Sequence, residues 1–140
     1  MRFVCRMKIL LAFLLGAFVT VALAEPRGTV KDVTPDEAAL LLKSDMKPLV
    51  LDVRTPDEFA AGHIPGATNV DFLEDNFEKR VAALDATGPV ILHCAAGNRS
   101  SQALKKIIAL KKFGAIYHLK SGFNGWKAAG KPLEKEPAAK

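Results

Sequence analysis

The sequence predicts an α/β fold, a central parallel sheet with helices on both faces. Three observations predict it. Short apolar runs at residues 49–53, 89–92 and 116–119 alternate with stretches of helical period. The tetrapeptide Thr-Pro-Asp-Glu occurs twice, at 34–37 and 55–58, and each copy carries the residues of a helix start. No internal repeat or low-complexity segment interrupts the alternation.

The elements follow in order. Residues 30–33 form a short first strand. Thr34 caps a helix through Lys43, with Pro35 in the first turn and Glu37 where a capping box needs its carboxylate. Residues 49–53 are a buried strand, and Thr55 to Glu58 opens a short helix toward Ala60. Gly62-His63-Ile64-Pro65-Gly66 is a loop, and residues 67–70 another short strand. Leu73, Phe77, Val81 and Leu84 recur at helical spacing and predict a helix over 72–84. Residues 89–92 are a strand. Residues 101–113 are a helix that buries Leu104, Ile107, Ile108 and Leu110 and stops at Gly114. A last strand at 116–119 and a last helix at 121–129 complete the domain, and the tail from Glu134 to Lys140 is expected to fray.

The chain has 140 residues, but the first 24 have the parts of an export signal. Arg2, Arg6 and Lys8 precede a mostly apolar stretch at 9–21, and Ala22-Leu23-Ala24 suits cleavage before Glu25. The stretch is shorter than the roughly 18–20 apolar residues of a membrane span. Cys5 lies ahead of it rather than at the cleavage point. The expectation is a periplasmic protein of one domain, residues 25–140, which meets a membrane only through the signal before cleavage. Without the three basic residues of the signal, 17 Lys plus Arg stand against 15 Asp plus Glu. That balance, with no basic patch interleaved with aromatics, argues against nucleic acid. Lys105, Lys106, Lys111 and Lys112 read as a solvated helix face.

Export leads to an oxidising compartment, yet the processed chain keeps one cysteine, Cys94, and so forms no internal disulfide. It stands in His-Cys-Ala-Ala-Gly-Asn-Arg-Ser at 93–100, between a strand and a helix. In such folds ligands bind beyond the carboxyl ends of strands. If Ala95, Ala96, Gly97, Asn98, Arg99 and Ser100 curl around the sulfur, their backbone N–H groups and the helix start favour the thiolate. The same donors suit a persulfide or an oxyanion. Gly97 takes backbone shapes that a side chain resists. Arg99 offers a planar fork for an anionic sulfur oxyacid. Ser100 caps the next helix or donates another hydrogen bond.

Three pieces of sequence together resemble the single-domain rhodanese family, the thiosulfate-type sulfurtransferases. The first is Leu51-Asp52-Val53-Arg54 with Glu58-Phe59 and the segment from Gly62 to Ala67. The second runs from Cys94 to Ser100. The third is Leu119-Lys120-Ser121-Gly122-Phe123-Asn124-Gly125-Trp126 with Ala129-Gly130. The resemblance covers nearly all of the processed chain. It implies a rhodanese-like fold and an enzyme in which Cys94 takes sulfane sulfur as a persulfide and passes it to cyanide, a thiol or a thiol-bearing protein. It implies no cofactor, and ties Arg99 to the loop and its anionic substrate. Ser121 departs from the family, which often has glycine there.

Supporting roles fall to Asp52, Arg54, Glu58 and His63. The resemblance gives Asp52 a structural role, tying loops through backbone N–H groups or Arg54. Arg54 and Glu58, four apart, are expected to form an ion pair, and His63 to hydrogen-bond a neighbouring loop. His63, His93, His118 and Cys94 lack close metal-ligand spacing. His93 should point away from Cys94 by strand alternation, and Trp126 should sit in the core. Other readings stay open. The fold also serves non-catalytic sulfur-sensing or protein-binding modules. A general thiol oxidoreductase would want a resolving cysteine, which the loop lacks. Phosphatase or arsenate reductase activity is a third reading; cysteine phosphatases resemble this arrangement but carry a longer loop. Four residues separate Cys94 from Arg99, a small ring for a tetrahedral phosphate.

Overall fold

The computed structural model describes residues 27–137. The expected signal, its cleavage before Glu25 and the last three residues of the tail lie outside the described residues. The elements are β1 (Val30–Val33), α1 (Pro35–Lys43), β2 (Leu49–Asp52), α2 (Pro56–Ala61), β3 (Thr68–Asn69), α3 (Phe77–Ala82), β4 (Val90–His93), α4 (Asn98–Ala109), β5 (Ile116–Leu119) and α5 (Gly122–Ala128). The strands form one sheet in the order β1-β5-β4-β2-β3, and every pairing is parallel. This is the α/β architecture the sequence predicts.

Strand alternation divides the core into two layers. Leu51, Val90, Leu92 and Ile116 face one way and pack with Phe77 and Val81 of α3 and Ala103 and Ile107 of α4. Val33, Val50, Ile91 and Leu119 face the other way and pack with Ala38 of α1 and Phe123 and Trp126 of α5. The central strand β4 is buried along its whole length, as both faces are covered.

Two helices and the C-terminal tail differ from expectation. The helix expected over 72–84 begins only at Phe77. The Asp71 carboxylate accepts from the Leu73 backbone N–H at 2.9 Å, which bends the chain as an Asx turn and leaves Leu73 64% exposed. Helix α4 begins at Asn98, before the expected start, and ends at Ala109. Lys111 takes a left-handed conformation with φ of 50°, so it rather than Gly114 turns the chain. The tail expected to fray from Glu134 is pinned as far as Glu136. His63 and Glu134 exchange backbone hydrogen bonds at 2.8 and 2.9 Å, and Glu136 N–H donates to the Ala60 carbonyl at 3.2 Å. The apolar spacing there carries no hint of that bridge.

Candidate active site

Cys94 follows β4 at the carboxyl edge of the sheet, and the chain curls from it into α4. Gly97 makes the curl, with φ of 98°. A side chain there would also drive a Cβ to 2.3 Å from the Lys120 carbonyl oxygen. The loop carbonyls turn outward: Phe123 N–H donates to Cys94 O at 2.8 Å and Asn124 N–H to Ala95 O at 3.0 Å. Gly122, with φ of 66°, lets α5 come this close, since a Cβ would meet Ala95 O at 2.4 Å. With the Cys94 and Ala95 carbonyls committed to α5, the Ala96, Gly97 and Ser100 N–H groups are left facing the sulfur.

The Gly97 N–H donates to Cys94 Sγ at 3.1 Å, and the Ser100 hydroxyl lies 3.4 Å from the same atom. Cys94 is 1% exposed. Burial alone pushes its thiol up. Hydrogen bonds from the Ser100 hydroxyl and from the Ser100, Ala96 and Gly97 backbone outweigh it and hold the thiol below its usual range. Among the other loop residues, Ala96 and Asn98 are exposed and Ala95 half-buried.

Arg99 does not hang free over the ring. Its Nη1 and Nη2 donate to Glu58 Oε2 and Oε1 at 2.7 and 2.8 Å, a bidentate pair. The pair lowers the Glu58 carboxyl to about 2 and raises the Arg99 guanidinium, which also senses the charge of Cys94. The expected Arg54–Glu58 ion pair is therefore corrected. Four-residue spacing brings side chains together only within a helix, and Arg54 precedes the N-cap of α2, Thr55. Arg54 turns inward instead. Its Nε lies 3.0 Å from both Asp52 carboxylate oxygens, and Nη2 lies 2.6 Å from Oδ2. Nη2 also donates to Gly62 O at 2.7 Å, and the guanidinium sits 4.1 Å from the Phe123 ring centroid. Asp52 also accepts from the Arg54 backbone N–H, so it ties β2 to the loop after α2.

His63 stacks on Phe59 at 3.8 Å, holds Phe59 O with Nδ1 at 3.0 Å, and brings Nε2 to 3.5 Å from Glu134. It joins α2 to the C-terminal segment. His93 faces Phe123, 6.4 Å between rings, on the sheet face opposite Cys94. Burial lowers its ionisation. Its Nδ1 meets the Cys94 carbonyl at 3.0 Å. Trp126 is buried at 2%, and its indole N–H donates to Pro132 O at 2.8 Å. A cleft of about 420 Å³ opens beside the loop, lined by Arg54, Glu58, Ala95, Phe123, Asn124 and Lys127 among others.

The sequence reading missed two residues at the site. His118 Nε2 lies 2.9 Å from Ser100 Oγ, and His118 Nδ1 lies 3.2 Å from Asp32 Oδ1. The signal was the parity of β5: His118 shares a face with Ile116, the face that α4 covers.

Comparison with known proteins settles the family. The model of the rhodanese-like domain matches residues 34–129. The chain belongs to the rhodanese-like family. A thiosulfate sulfurtransferase GlpE of Pseudomonas putida is 37% identical over 94 residues, which cover 67% of this chain and 83% of that protein. A thiosulfate sulfurtransferase GlpE of Pseudomonas aeruginosa is 31% identical over 100 residues, 71% of this chain and 86% of that one. Among solved structures, a thiosulfate sulfurtransferase from Pseudomonas aeruginosa superposes with a TM-score of 0.64 at 27% identity. That alignment covers 77% of this chain but only 21% of the other, so this chain spans about a fifth of its length. The protein Rv0390 of M. tuberculosis gives a TM-score of 0.66 at 25% identity, covering 74% and 96% of the two chains. This rhodanese-like chain is an enzyme of sulfur transfer.

Proposed function

We propose that this rhodanese moves sulfane sulfur from thiosulfate, or a similar anionic donor, to a thiophilic acceptor such as cyanide or a thiol. The observation that carries the reading is the ring around Cys94, with the Cys94 and Ala95 carbonyls turned to α5 and the Gly97 N–H and Ser100 hydroxyl on Sγ. The thiolate attacks the outer sulfur of thiosulfate. A sulfur–sulfur bond forms on Cys94, the donor's own sulfur–sulfur bond breaks, and sulfite leaves with the electron pair. An acceptor then attacks the outer sulfur of the persulfide, and Cys94 leaves as thiolate. Loop N–H groups hold the charge in both steps. The burial of Cys94 favours a slim terminal sulfur over a bulky disulfide. The GlpE relatives, named as thiosulfate sulfurtransferases, support the choice of donor.

Intact mass of the protein tests this. Thiosulfate should add one sulfur atom, and cyanide should remove it. Replacing Cys94 with serine (C94S) should abolish both the mass gain and turnover while the fold survives. A C94S protein that still transfers sulfur would remove the mechanism. We also propose, from residues 1–24 alone, that the chain is exported to the periplasm and cleaved before Glu25: N-terminal sequencing of the exported form should begin at Glu25, and an intact precursor held in the membrane would overturn it.

A further inference from the structure

A line of side chains leaves the sulfur of Cys94 and runs out along one face of the sheet. Cys94 Sγ is 3.4 Å from Ser100 Oγ, Ser100 Oγ is 2.9 Å from His118 Nε2, and His118 Nδ1 is 3.2 Å from Asp32 Oδ1. Cys94, Ser100 and His118 are buried, at 1%, 0% and 3% exposure. Asp32 reaches solvent, its side chain 59% exposed. Backbone pairing builds the outer link, because Asp32 and His118 are register partners in the β1–β5 ladder, and partners in a ladder share a face.

Counting protons along this line limits its states. The Asp32 carboxylate accepts only, so the proton of a neutral His118 sits on Nδ1 and Nε2 presents a lone pair. Ser100 has one hydroxyl proton. The Gly97 carbonyl lies within its reach at 3.1 Å, but it already accepts from Ser101 N–H at 3.0 Å and from Ser101 Oγ at 2.7 Å. The choice left to the Ser100 proton is Cys94 or His118. With Cys94 as a thiol, S–H donates to Oγ and Oγ–H donates to Nε2, and every group is satisfied. With Cys94 as thiolate and His118 as imidazolium, Nε2–H donates to Oγ and Oγ–H donates to sulfur, and again every group is satisfied. A thiolate beside a neutral His118 leaves two acceptors facing one proton, a costly arrangement when buried.

We propose that His118 is a positioning residue that stores the Cys94 proton, exchanged through the Ser100 hydroxyl, with Asp32 facing the imidazolium so formed. In the forward direction the S–H bond breaks and its proton joins Ser100 Oγ, while the hydroxyl's own proton moves to His118 Nε2. No oxidant or further reactant is needed. The other charges near the line are Lys120, whose Nζ is 3.9 Å from Asp32, and Arg99, which Glu58 neutralises. His93 lies on the opposite face. The proposal rests on the sulfur-transfer reading only for its use: each half-reaction begins or ends with a thiolate on Cys94, and His118 supplies or takes the matching proton.

Alkylation of Cys94 by iodoacetamide, followed on the Cys94 peptide by mass across pH, tests the store without any sulfur donor. His118→Gln keeps a partner for Ser100 but has no proton to titrate. It should move the midpoint of the alkylation profile up by about one pH unit and slow alkylation near neutral pH by roughly tenfold. Asp32→Asn, at an exposed position that does not threaten folding, should move the midpoint the same way by a smaller step. Ser100→Ala should act as strongly as His118→Gln, and the double variant should add nothing to either. A wild-type profile in either His118→Gln or Asp32→Asn would overturn the store, as would additive effects of the His118 and Ser100 changes. A protein that shows the coupling yet gains no sulfur from thiosulfate would sink the donor assignment and leave the store standing.

Discussion

The same four residues, Thr-Pro-Asp-Glu, start α1 and α2, and they build the same local object. Thr34 N–H donates to Glu37 Oε2 at 2.8 Å and Glu37 N–H returns to Thr34 Oγ1 at 3.2 Å. The matching distances at Thr55 and Glu58 are 3.0 and 3.4 Å. Beyond the cap the two glutamates part. Glu37 meets exposed Lys31 at 3.7 Å, and its carboxyl is lowered chiefly by the Thr34 backbone N–H. Glu58 grips Arg99, which comes from 41 residues away, and that contact is the main cause of its drop to about 2. The local sequence dictates the cap. The neighbour across the fold gives one carboxylate a second task, holding the arginine at the end of the Cys94 loop.

The largest expected effect breaks the pair from its cationic side. Arg99→Lys keeps the charge but loses the fork offered to the oxygens of the anionic donor, and partly buried charge-assisted hydrogen bonds to such an anion are worth roughly 1.5–3 kcal/mol. Sulfur transfer should therefore need about ten to a hundred times more thiosulfate, with some persulfide still forming. Steady-state rates against thiosulfate concentration, paired with intact mass, measure it. An unchanged thiosulfate dependence would make Arg99 a tie to Glu58 and nothing more.

A smaller effect separates the two copies directly. Glu58→Gln frees the guanidinium and should change the thiosulfate dependence by roughly threefold to tenfold, since an exposed or half-exposed pair is worth about 1 kcal/mol. Glu37→Gln removes the same atom from the twin motif and should leave the rate within about twofold. Equal responses would mean that Glu58, like Glu37, matters only as a cap. Stability sharpens the point from the other side. Thr34→Ala and Thr55→Ala should each cost about 1 kcal/mol in urea unfolding, because the caps themselves are alike.

Much of this was legible in the sequence, for reasons the twin motif illustrates. Caps, strand runs and the loop from Cys94 to Ser100 are contiguous, so local rules reach them: strand β5 and the start of α1 fall where predicted. Gly97 and the small residues of the loop announced a backbone turned toward sulfur. What stayed hidden joins distant pieces. Four-residue spacing pairs Arg54 with Glu58 only if both lie within one helix, and the cap of α2, Thr55, lies between them. His63 and Glu134 meet across 71 positions of chain, and no periodicity encodes that. His118 carries no metal-ligand spacing, and only the alternation of β5, which sets it on the face of Ile116, puts it on the Ser100 side.

The smallest expected effect follows from acid. The Glu58 carboxyl is lowered from 4.5 to about 2 in the folded protein, so the folded state binds this proton more weakly than the unfolded chain does. Such a group stabilises the fold fully above its unfolded value, and the stabilisation is lost as pH falls from about 4.5 toward 2. The Glu58 side chain is 37% exposed, so solvent screens the pair and the loss is held to roughly 0.5–1 kcal/mol. Urea unfolding of the wild type and of Glu58→Gln, compared from pH 6 downward, isolates it. The wild type should be the more stable of the two at pH 6, and the gap should close through that window as Glu58 takes up its proton. The fold as a whole also weakens in acid, so the readout is the difference between the two proteins and not either curve alone. A gap that stays constant down to the acid end would assign the difference to packing and not to the carboxylate that holds Arg99.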